Sequence, residues 1–358
     1  MTPAPSTGAA RPPRIGGLAG GALDAITDVP GVRVGHATLD DGDVQTGVTV
    51  IRPHAGDAYR DKVPAGLAVI NGFGKSIGLL QLEELGQIET PIALTNTFGV
   101  GAVAQAQIRA CVADNPGTGR HLPTVNPLVL ECNDGFLNDI QRMAVGEADY
   151  LRAWSAASAD FAQGSVGAGR GMTSFGVKGG IGSASRLAGA HTVGALVLAN
   201  YGVRDNLVIA GHAVGAPVAA MPAEPEKGSI IILIATDAPL DARQLRRLSL
   251  RAGAGLARTG SVFGHGSGDI ALAFSTAYTL PQRPIEPMPA VAMLHDALLD
   301  GLFQAVADSV EQAILHALWR ATSFVGRDGH MRPALADLLR DAQPHASAAS
   351  GLFTVEPT

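Results

Sequence analysis

Short apolar runs recur along this chain of 358 residues, and each is bounded on at least one side by glycine, proline or asparagine. The pattern predicts β-strands at 48–51, 67–71, 92–95, 193–200, 229–236 and 270–275. Apolar residues at helical spacing lie between several of them and predict helices over 77–85 and 241–257. Because these helices must cover at least one face of the sheets, the sequence predicts an α/β protein.

The longest helical pattern extends from about Ala290 to Ala321. Its branched apolar residues recur every four positions from Leu294 to Leu318, with acidic and amide side chains between them. Such a stripe faces a core. No fixed-period repeat or low-complexity linker divides the chain. We therefore expect a flexible tail over 1–20 and a single domain over 21–358.

Charge and cysteine content exclude several classes of protein. The net charge of −6 and the absence of a run of lysine or arginine argue against nucleic-acid binding. Cys111 and Cys132 form no CxxC motif, so we expect buried thiols in a reducing compartment. No stretch of about 18 uncharged apolar residues or signal-peptide core is present, which favours a cytoplasmic protein that does not enter a membrane.

A serine opens one of the predicted strands, directly after a glycine, in the stretch EKGSIIILIAT. The polar loop MPAEPEKG ends at Gly228, and the apolar run begins after Ser229. The first side chain of a strand can be accessible at the sheet edge while the following ones are buried. Taken alone, a serine at this place more often completes a turn.

Two other motifs place polar side chains at the ends of predicted strands. Ser267 and Asp269 in GHGSGD are two residues apart on an extended segment, so both point to the same side. By itself that motif also fits an Asx-type turn. Asn200 ends the strand HTVGALVLAN, where its amide can either donate to an oxyanion or cap a turn.

These segments together resemble the DmpA-type aminopeptidases, the L-aminopeptidase/D-esterase and β-peptidyl aminopeptidase family. The resemblance runs in order from about Ala22 to Gly329. It is carried by ITDVPGVRVGH, TPIALTNTFGVG, ECNDGFLND, the glycine-rich run 166–186, GSIIILIATDAPL and GHGSGDIALAFST. It implies an N-terminal-nucleophile-like αββα sandwich of four layers, cleaved by itself at Gly228–Ser229 into 1–228 and 229–358. Relatives form tetramers, so a homotetramer of cleaved heterodimers is expected.

The resemblance also implies a role for each polar group. Ser229 Oγ would attack the substrate carbonyl, and its freed α-amine, with an ordinary pKa of roughly 7.7–8.0, would act as the base. Ser267 and Asp269 would relay or orient protons, and Asn200 would help to hold the oxyanion. The implied substrates are short peptides, amides or esters with a free amine, and no cofactor is needed.

A substrate ammonium calls for a carboxylate in a partly buried pocket. Glu131 and Asp134 of ECNDGFLND are both candidates, and the sequence does not choose between them. Phe136 stands where a tyrosine contributes a hydroxyl in relatives, and Arg170 where a small or hydroxyl residue is usual. Asp269 is one methylene shorter than the glutamate of some relatives. The changes at Phe136 and Arg170 would alter the polarity of the pocket and so its substrate range.

Two alternative functions stay open on the sequence. Ser76 lies in GFGKSIG, a formal G-x-S-x-G between strand and helix, as in an α/β-hydrolase esterase, although no motif supplies its histidine. The same GKS fails as a phosphate loop, because Val69 replaces the required glycine. The second alternative is a non-catalytic small-molecule-binding protein of the same fold.

The ten histidines show no metal-binding spacing, so no metal site is predicted. His265, close to Ser267, is expected to be an exposed turn residue.

Overall fold

A computed structural model describes residues 12–214, 228–284 and 287–342. The helices in these ranges are α1 (Leu79–Leu85), α2 (Val100–Asp114), α3 (Glu147–Ser155), α4 (Ala242–Arg258), α5 (Asp300–Trp319) and α6 (Leu335–Ala342). The strands are β1 (Arg33–Asp41), β2 (Val44–Arg52), β3 (Asp61–Gly72), β4 (Gln87–Ile88), β5 (Ile92–Asn96), β6 (Leu128–Cys132), β7 (Thr173–Ser174), β8 (Val177–Lys178), β9 (Gly180–Ala188), β10 (His191–Asn200), β11 (Val208–Ile209), β12 (His212–Ala213), β13 (Ser229–Thr236), β14 (Gly268–Ser275), β15 (Leu280–Pro281), β16 (Phe324–Val325) and β17 (Met331–Arg332). Every strand predicted from the sequence lies within one of these.

The strands form two main sheets. The smaller sheet has the order β1-β2-β5-β6, and the larger has the order β15-β3-β14-β13-β10-β9, with β4 added beside β3. The central pair of the larger sheet, β13 and β14, is parallel, while β10 and β3 flank it in antiparallel orientation. The first residues of β13 and β14 therefore meet the last residues of β10 and β3 at one edge.

Three apolar cores separate four layers. Helices α4 and α5 cover the outer face of the larger sheet, α2 and α3 cover the outer face of the smaller one, and the two sheets face each other. Strand β13 shows why its sequence is a continuous apolar run: Ile230, Ile232 and Ile234 face the helices, whereas Ile231 and Leu233 face the other sheet. The four-layer αββα sandwich implied by the resemblance is thus confirmed.

The helix predicted from Ala290 is wrong over its first ten residues, because α5 begins at Asp300. The backbone of Leu294 is used elsewhere: its N–H donates to Pro239 O, and its carbonyl accepts from the Gln244 side chain. Asp296 also accepts from Gln244, at 2.7 Å. These tertiary hydrogen bonds hold the segment against the start of α4 and replace the helix that the spacing favours.

The segment predicted as a tail is partly described. Ile15 is buried, its N–H donates to the Gln312 side chain of α5, and its carbonyl accepts from the Arg186 guanidinium of β9. Residues 1–11, and all of the predicted loop 221–228 except Gly228, lie outside the described residues. Among the helices of the described ranges, none has the length and apolar character needed to cross a membrane.

Candidate active site

The predicted catalytic residues meet at the edge where β13 and β14 begin. Ser229 pairs with Asn200 in the antiparallel register of β10 and β13. On the other side, Ile230 is level with Asp269 in the parallel register of β13 and β14. Asp269 is in turn level with Asn71 at the end of β3. The topology thus brings four separate segments of the chain to one site.

Ser229 is almost buried, with 7% of its surface exposed. Its Oγ accepts a hydrogen bond from the Gly268 N–H at 3.0 Å. A Cβ added to Gly268 would lie 3.1 Å from that Oγ and 2.8 Å from Phe73 O, so a side chain there would crowd the hydroxyl. Glycine at this position lets the β14 backbone approach the serine closely.

Ser267 and Asp269 form a hydrogen-bonded pair. Both are fully buried, and the Ser267 hydroxyl donates to Asp269 Oδ1 at 2.5 Å. A register shift follows Asp269, as at a β-bulge, which re-aims side chains at a sheet edge. The turn before them is held by Asn71, whose Nδ2 donates to Gly264 O and Ser267 O. No role for Asn71 was predicted from the sequence, although this residue lies at the end of a predicted strand, as Asn200 does.

The Asn200 amide is fixed at both ends. Its Oδ1 accepts from the Thr173 N–H at 2.9 Å, and its Nδ2 donates to Asn133 O at 3.0 Å. Thr173 belongs to the glycine-rich run, and Asn133 to the motif ECNDGFLND. These bonds orient the amide beside the first residue of β13.

The two candidate carboxylates differ in their surroundings. Glu131, in β6, accepts from the Lys75 N–H at 2.8 Å and from the Thr97 hydroxyl. Asp134 is fully buried, and its Oδ1 accepts from Asn138 Nδ2 at 2.9 Å, while within the described ranges Oδ2 has no hydrogen-bond partner. Burial raises the pKa of Asp134 to about 6, although the hydrogen bond from Asn138 opposes the shift.

Phe136 and Arg170 contact the C-terminal part of the chain. The Phe136 ring stacks on His330 with centroids 4.6 Å apart and planes 11° apart. Arg170 donates to the Gln45 side chain at 2.7 Å, and its guanidinium lies 4.4 Å from the Phe324 ring centroid. No measured contact relates either residue to Ser229 among the described residues, so their predicted effect on substrates stays a prediction. His265 is exposed, as predicted.

The comparisons with known proteins identify the family. The model of peptidase family S58 matches residues 24–332. The chain belongs to peptidase family S58. Beta-peptidyl aminopeptidase BapA of Sphingosinicella xenopeptidilytica is 39% identical over 335 residues, which cover 86% of this chain and 83% of the relative.

Two solved structures of aminopeptidases have the same fold. A beta-aminopeptidase of Burkholderia sp. superposes with a TM-score of 0.86 at 43% identity, over 94% of this chain and 98% of that one. The L-aminopeptidase D-Ala-esterase/amidase of Ochrobactrum anthropi gives 0.84 at 36% identity, over 93% and 97%. The latter is described as a prototype serine aminopeptidase with a variant of the Ntn hydrolase fold. This S58 member is therefore a hydrolase of the serine aminopeptidase type.

Lys178 lies in the glycine-rich run that holds the Asn200 amide, and no role for it was predicted from the sequence. Its side chain is fully buried, and its Nζ donates to three backbone carbonyls of the glycine-rich run, at 2.8 to 2.9 Å, those of Gly169, Met172 and Gly179. The three donors of an ammonium are thereby used. Burial lowers the pKa of Lys178 well below its usual value. The available signal was a lysine within a glycine-rich run, whose backbone carbonyls need donors.

The surroundings of the two thiols of the S58 chain favour their neutral form. Cys132 is buried, with its Sγ 3.4 Å from Ser229 O, and burial raises its pKa well above the usual range. Cys111 is only partly buried, unlike the prediction, and desolvation raises its pKa to about 11. Neutral thiols of this kind are poor nucleophiles.

Ser76 does not show the surroundings of a hydrolase nucleophile. Its hydroxyl is buried without a hydrogen-bond partner in the described part of the chain, so no histidine there is bonded to it. The loop 72–78 instead contributes to the S58 site, through Phe73 O beside Gly268 and the Lys75 N–H on Glu131. Over the described ranges, no cluster of three or more potential metal ligands occurs.

Proposed function

We propose that this S58 hydrolase cleaves its own chain at Gly228–Ser229 and then uses Ser229 to release N-terminal residues from short peptides, amides or esters. The observation that carries the proposal is the position of Ser229, the first residue of a core strand: it is level with Asn200 on β10, and its Oγ accepts from the Gly268 N–H. The buried Ser267–Asp269 pair lies on the adjacent strand.

Self-cleavage begins with attack of Ser229 Oγ on the Gly228 carbonyl carbon. The C–N bond breaks, the acyl group passes to oxygen as an ester, and the hydroxyl proton passes to the nitrogen, which leaves as the α-amine of Ser229. Water then hydrolyses the ester and leaves Gly228 as a carboxylate. A Cβ on Gly228 would collide with Asn200 O, so the close approach of this residue to β10 requires glycine.

Substrate hydrolysis repeats the attack on an external carbonyl. The α-amine takes the Ser229 hydroxyl proton, and the oxygen bonds to the carbonyl carbon. The Asn200 amide and the Gly268 N–H are the donors offered to the oxyanion. The proton then passes to the leaving amine or alkoxide, with Ser267 and Asp269 orienting the transfer, and water releases the acid from the ester on Ser229.

Intact-mass analysis and N-terminal sequencing of the purified protein test this proposal. We expect two fragments, the second beginning Ser-Ile-Ile-Ile, in material that hydrolyses an aminoacyl p-nitroanilide. The non-catalytic alternative predicts a single chain and no hydrolysis. An uncut protein that hydrolyses the substrate would instead require another nucleophile, for which Ser76 would be the first candidate.

We assign the substrate ammonium to Glu131 rather than to Asp134. A Cβ added to Gly74 would lie 3.6 Å from Glu131 Oε1, which places this carboxylate beside the loop that carries Phe73 O and borders Gly268. Both carboxyl groups are buried, and burial raises the pKa of Asp134 to about 6, which disfavours its charged form. Glu131 is therefore the better candidate to bind the substrate ammonium.

Glu131→Gln is therefore expected to raise KM for an aminoacyl p-nitroanilide by about 10- to 100-fold, the effect of losing a charge-assisted bond of roughly 1.5–3 kcal/mol. Asp134→Asn, the matched control, should keep KM within about threefold, because this carboxyl is fully buried and already accepts a hydrogen bond from Asn138. Both variants should still cleave themselves, because that step uses no substrate amine. The assignment is reversed if Asp134→Asn alone raises KM.

The cytoplasmic location and the homotetramer of cleaved heterodimers remain part of the proposal. Two neutral, unpaired thiols suit a reducing compartment. Light scattering of the cleaved protein measures its assembly, and a monomeric mass in active material would exclude the tetramer.

A further inference from the structure

A small hairpin near the C-terminus, which we call the clasp hairpin (residues 324–332), is bonded to the turn of ECNDGFLND. Arg327 donates from Nε to Gly135 O at 2.7 Å and from its backbone N–H to Leu137 O at 2.9 Å. His330 Nδ1 donates to Phe136 O at 2.8 Å. Three consecutive carbonyls of the turn, which would otherwise need water or another donor, are thus held by one hairpin.

The Phe136 side chain strengthens this attachment. In addition to its stack on His330, its ring lies 3.7 Å from the Arg332 guanidinium carbon. A cation is attracted to the face of an aromatic ring, and the attraction is stronger when the pair is desolvated. The Phe136 ring, which the sequence predicts to contact the substrate, therefore packs against two side chains of the hairpin.

The other end of the clasp hairpin contacts the glycine-rich run. The Phe324 ring centroid lies 4.4 Å from the Arg170 guanidinium and 5.4 Å from the Lys178 ammonium. Pro333, immediately after the hairpin, accepts from the Lys178 N–H at 2.9 Å. The Lys178 Nζ in turn donates to Met172 O, next to Thr173, and to Gly179 O, farther along the same run.

The two segments bound by the clasp hairpin are the two that hold the Asn200 amide. Asn133, at the start of the turn, accepts from Asn200 Nδ2, and Thr173, in the glycine-rich run, donates to Asn200 Oδ1. Movement of either segment would rotate or shift the amide. A donor aimed at a transition-state oxyanion is sensitive to such a shift, because its loss costs about 10²–10³ in kcat.

We propose that the clasp hairpin is a positioning element for the Asn200 amide, acting through the turn 133–137 and the glycine-rich run. This inference rests on the proposed function of Asn200. The hairpin follows Ser229 in the sequence, whereas both segments that it binds precede it. After cleavage at Gly228–Ser229 the same contacts would join two separate chains, so the geometry of the oxyanion site depends on their association.

Arg327→Ala tests the proposal. We expect kcat on an aminoacyl p-nitroanilide, per titrated active site, to fall about 10-fold with KM changed less than twofold, because an oxyanion donor acts mainly in the transition state. Arg327→Lys should recover part of the loss. Arg340→Ala, which removes an exposed arginine paired with Asp337 on α6, is the control and should leave kcat unchanged. An unchanged kcat in Arg327→Ala would overturn the proposal.

A double-mutant cycle decides whether the effect passes through Asn200. Arg327→Ala should lower kcat about 10-fold in the wild-type background but less than twofold in the Asn200→Ala background, a coupling of about five- to tenfold, or about 1.0–1.4 kcal/mol. If the Asn200→Ala protein does not cleave itself, Asn200→Ser, which keeps a hydrogen-bond donor, replaces it in the cycle. If Arg327→Ala lowers kcat by the same factor in both backgrounds, the proposed role of the clasp hairpin is wrong, while the proposed function is unaffected. A wild-type protein that is uncut and inactive would instead overturn the proposed function.

Discussion

Ser229→Ala is expected to give one uncut chain of 36.5 kDa that hydrolyses aminoacyl amides more than about 10⁴-fold more slowly than the wild type. One hydroxyl serves both as the group that breaks the Gly228–Ser229 bond and as the group that receives the acyl chain of the substrate. Removing it also leaves the Ser229 nitrogen inside a peptide bond, where it cannot act as a base. Both catalytic groups are lost together.

The fold should tolerate this change. The Ser229 Oγ has one described hydrogen bond, with the Gly268 N–H, so its loss should cost about 1 kcal/mol of unfolding free energy. Ser76→Ala is the matched control, and we expect it to be cleaved and active. Electrophoresis, intact mass and p-nitroanilide hydrolysis measure the outcome. A Ser229→Ala protein that is cut, or that keeps activity, would show that the nucleophile lies elsewhere.

The sequence was most informative where one strand is buried on both faces. The residues of β13 are apolar at successive positions because even-numbered and odd-numbered ones enter different cores, and that run marks the strand and the serine at its start. The neighbourhood of Ser229 could not be derived in the same way. It depends on the register of β10, β13 and β14, which no local pattern encodes, and only the family resemblance brought Asn200, Ser267 and Asp269 into one site.

The features that sequence reasoning missed depend on contacts between distant segments. Leu294 fits a helical stripe. Its backbone nevertheless bonds to Pro239 O and to the Gln244 side chain, both in a distant segment of the chain. Arg327 and Gly135 are separated by 192 residues along the chain, and no periodicity relates them. Glu131 and Asp134 look equivalent because the strand ends at Cys132, after which alternation no longer tells which way a side chain points.

The largest effect short of removing the nucleophile is expected for Asp269→Asn. The carboxylate is fully buried and accepts the Ser267 hydroxyl at 2.5 Å. Asparagine has the same shape, and its oxygen can still accept that bond, but it cannot take up a proton or balance the positive charge that develops on the Ser229 amine. Removal of such a proton-transfer partner costs about 10²–10⁴-fold in kcat, with KM within a few fold.

Two further variants separate charge from packing. Asp269→Glu keeps the carboxylate and matches the longer acid expected in some relatives, so it should recover much of the activity, although an added methylene in a buried site costs about 1–3 kcal/mol of stability. If Ser267 and Asp269 work as one unit, Ser267→Ala combined with Asp269→Asn should be no slower than the slower single variant. Steady-state kinetics on material whose Ser229 terminus has been verified measure these effects. A wild-type kcat in cleaved Asp269→Asn would remove the carboxylate from the mechanism, because only its charge and its proton affinity would have changed.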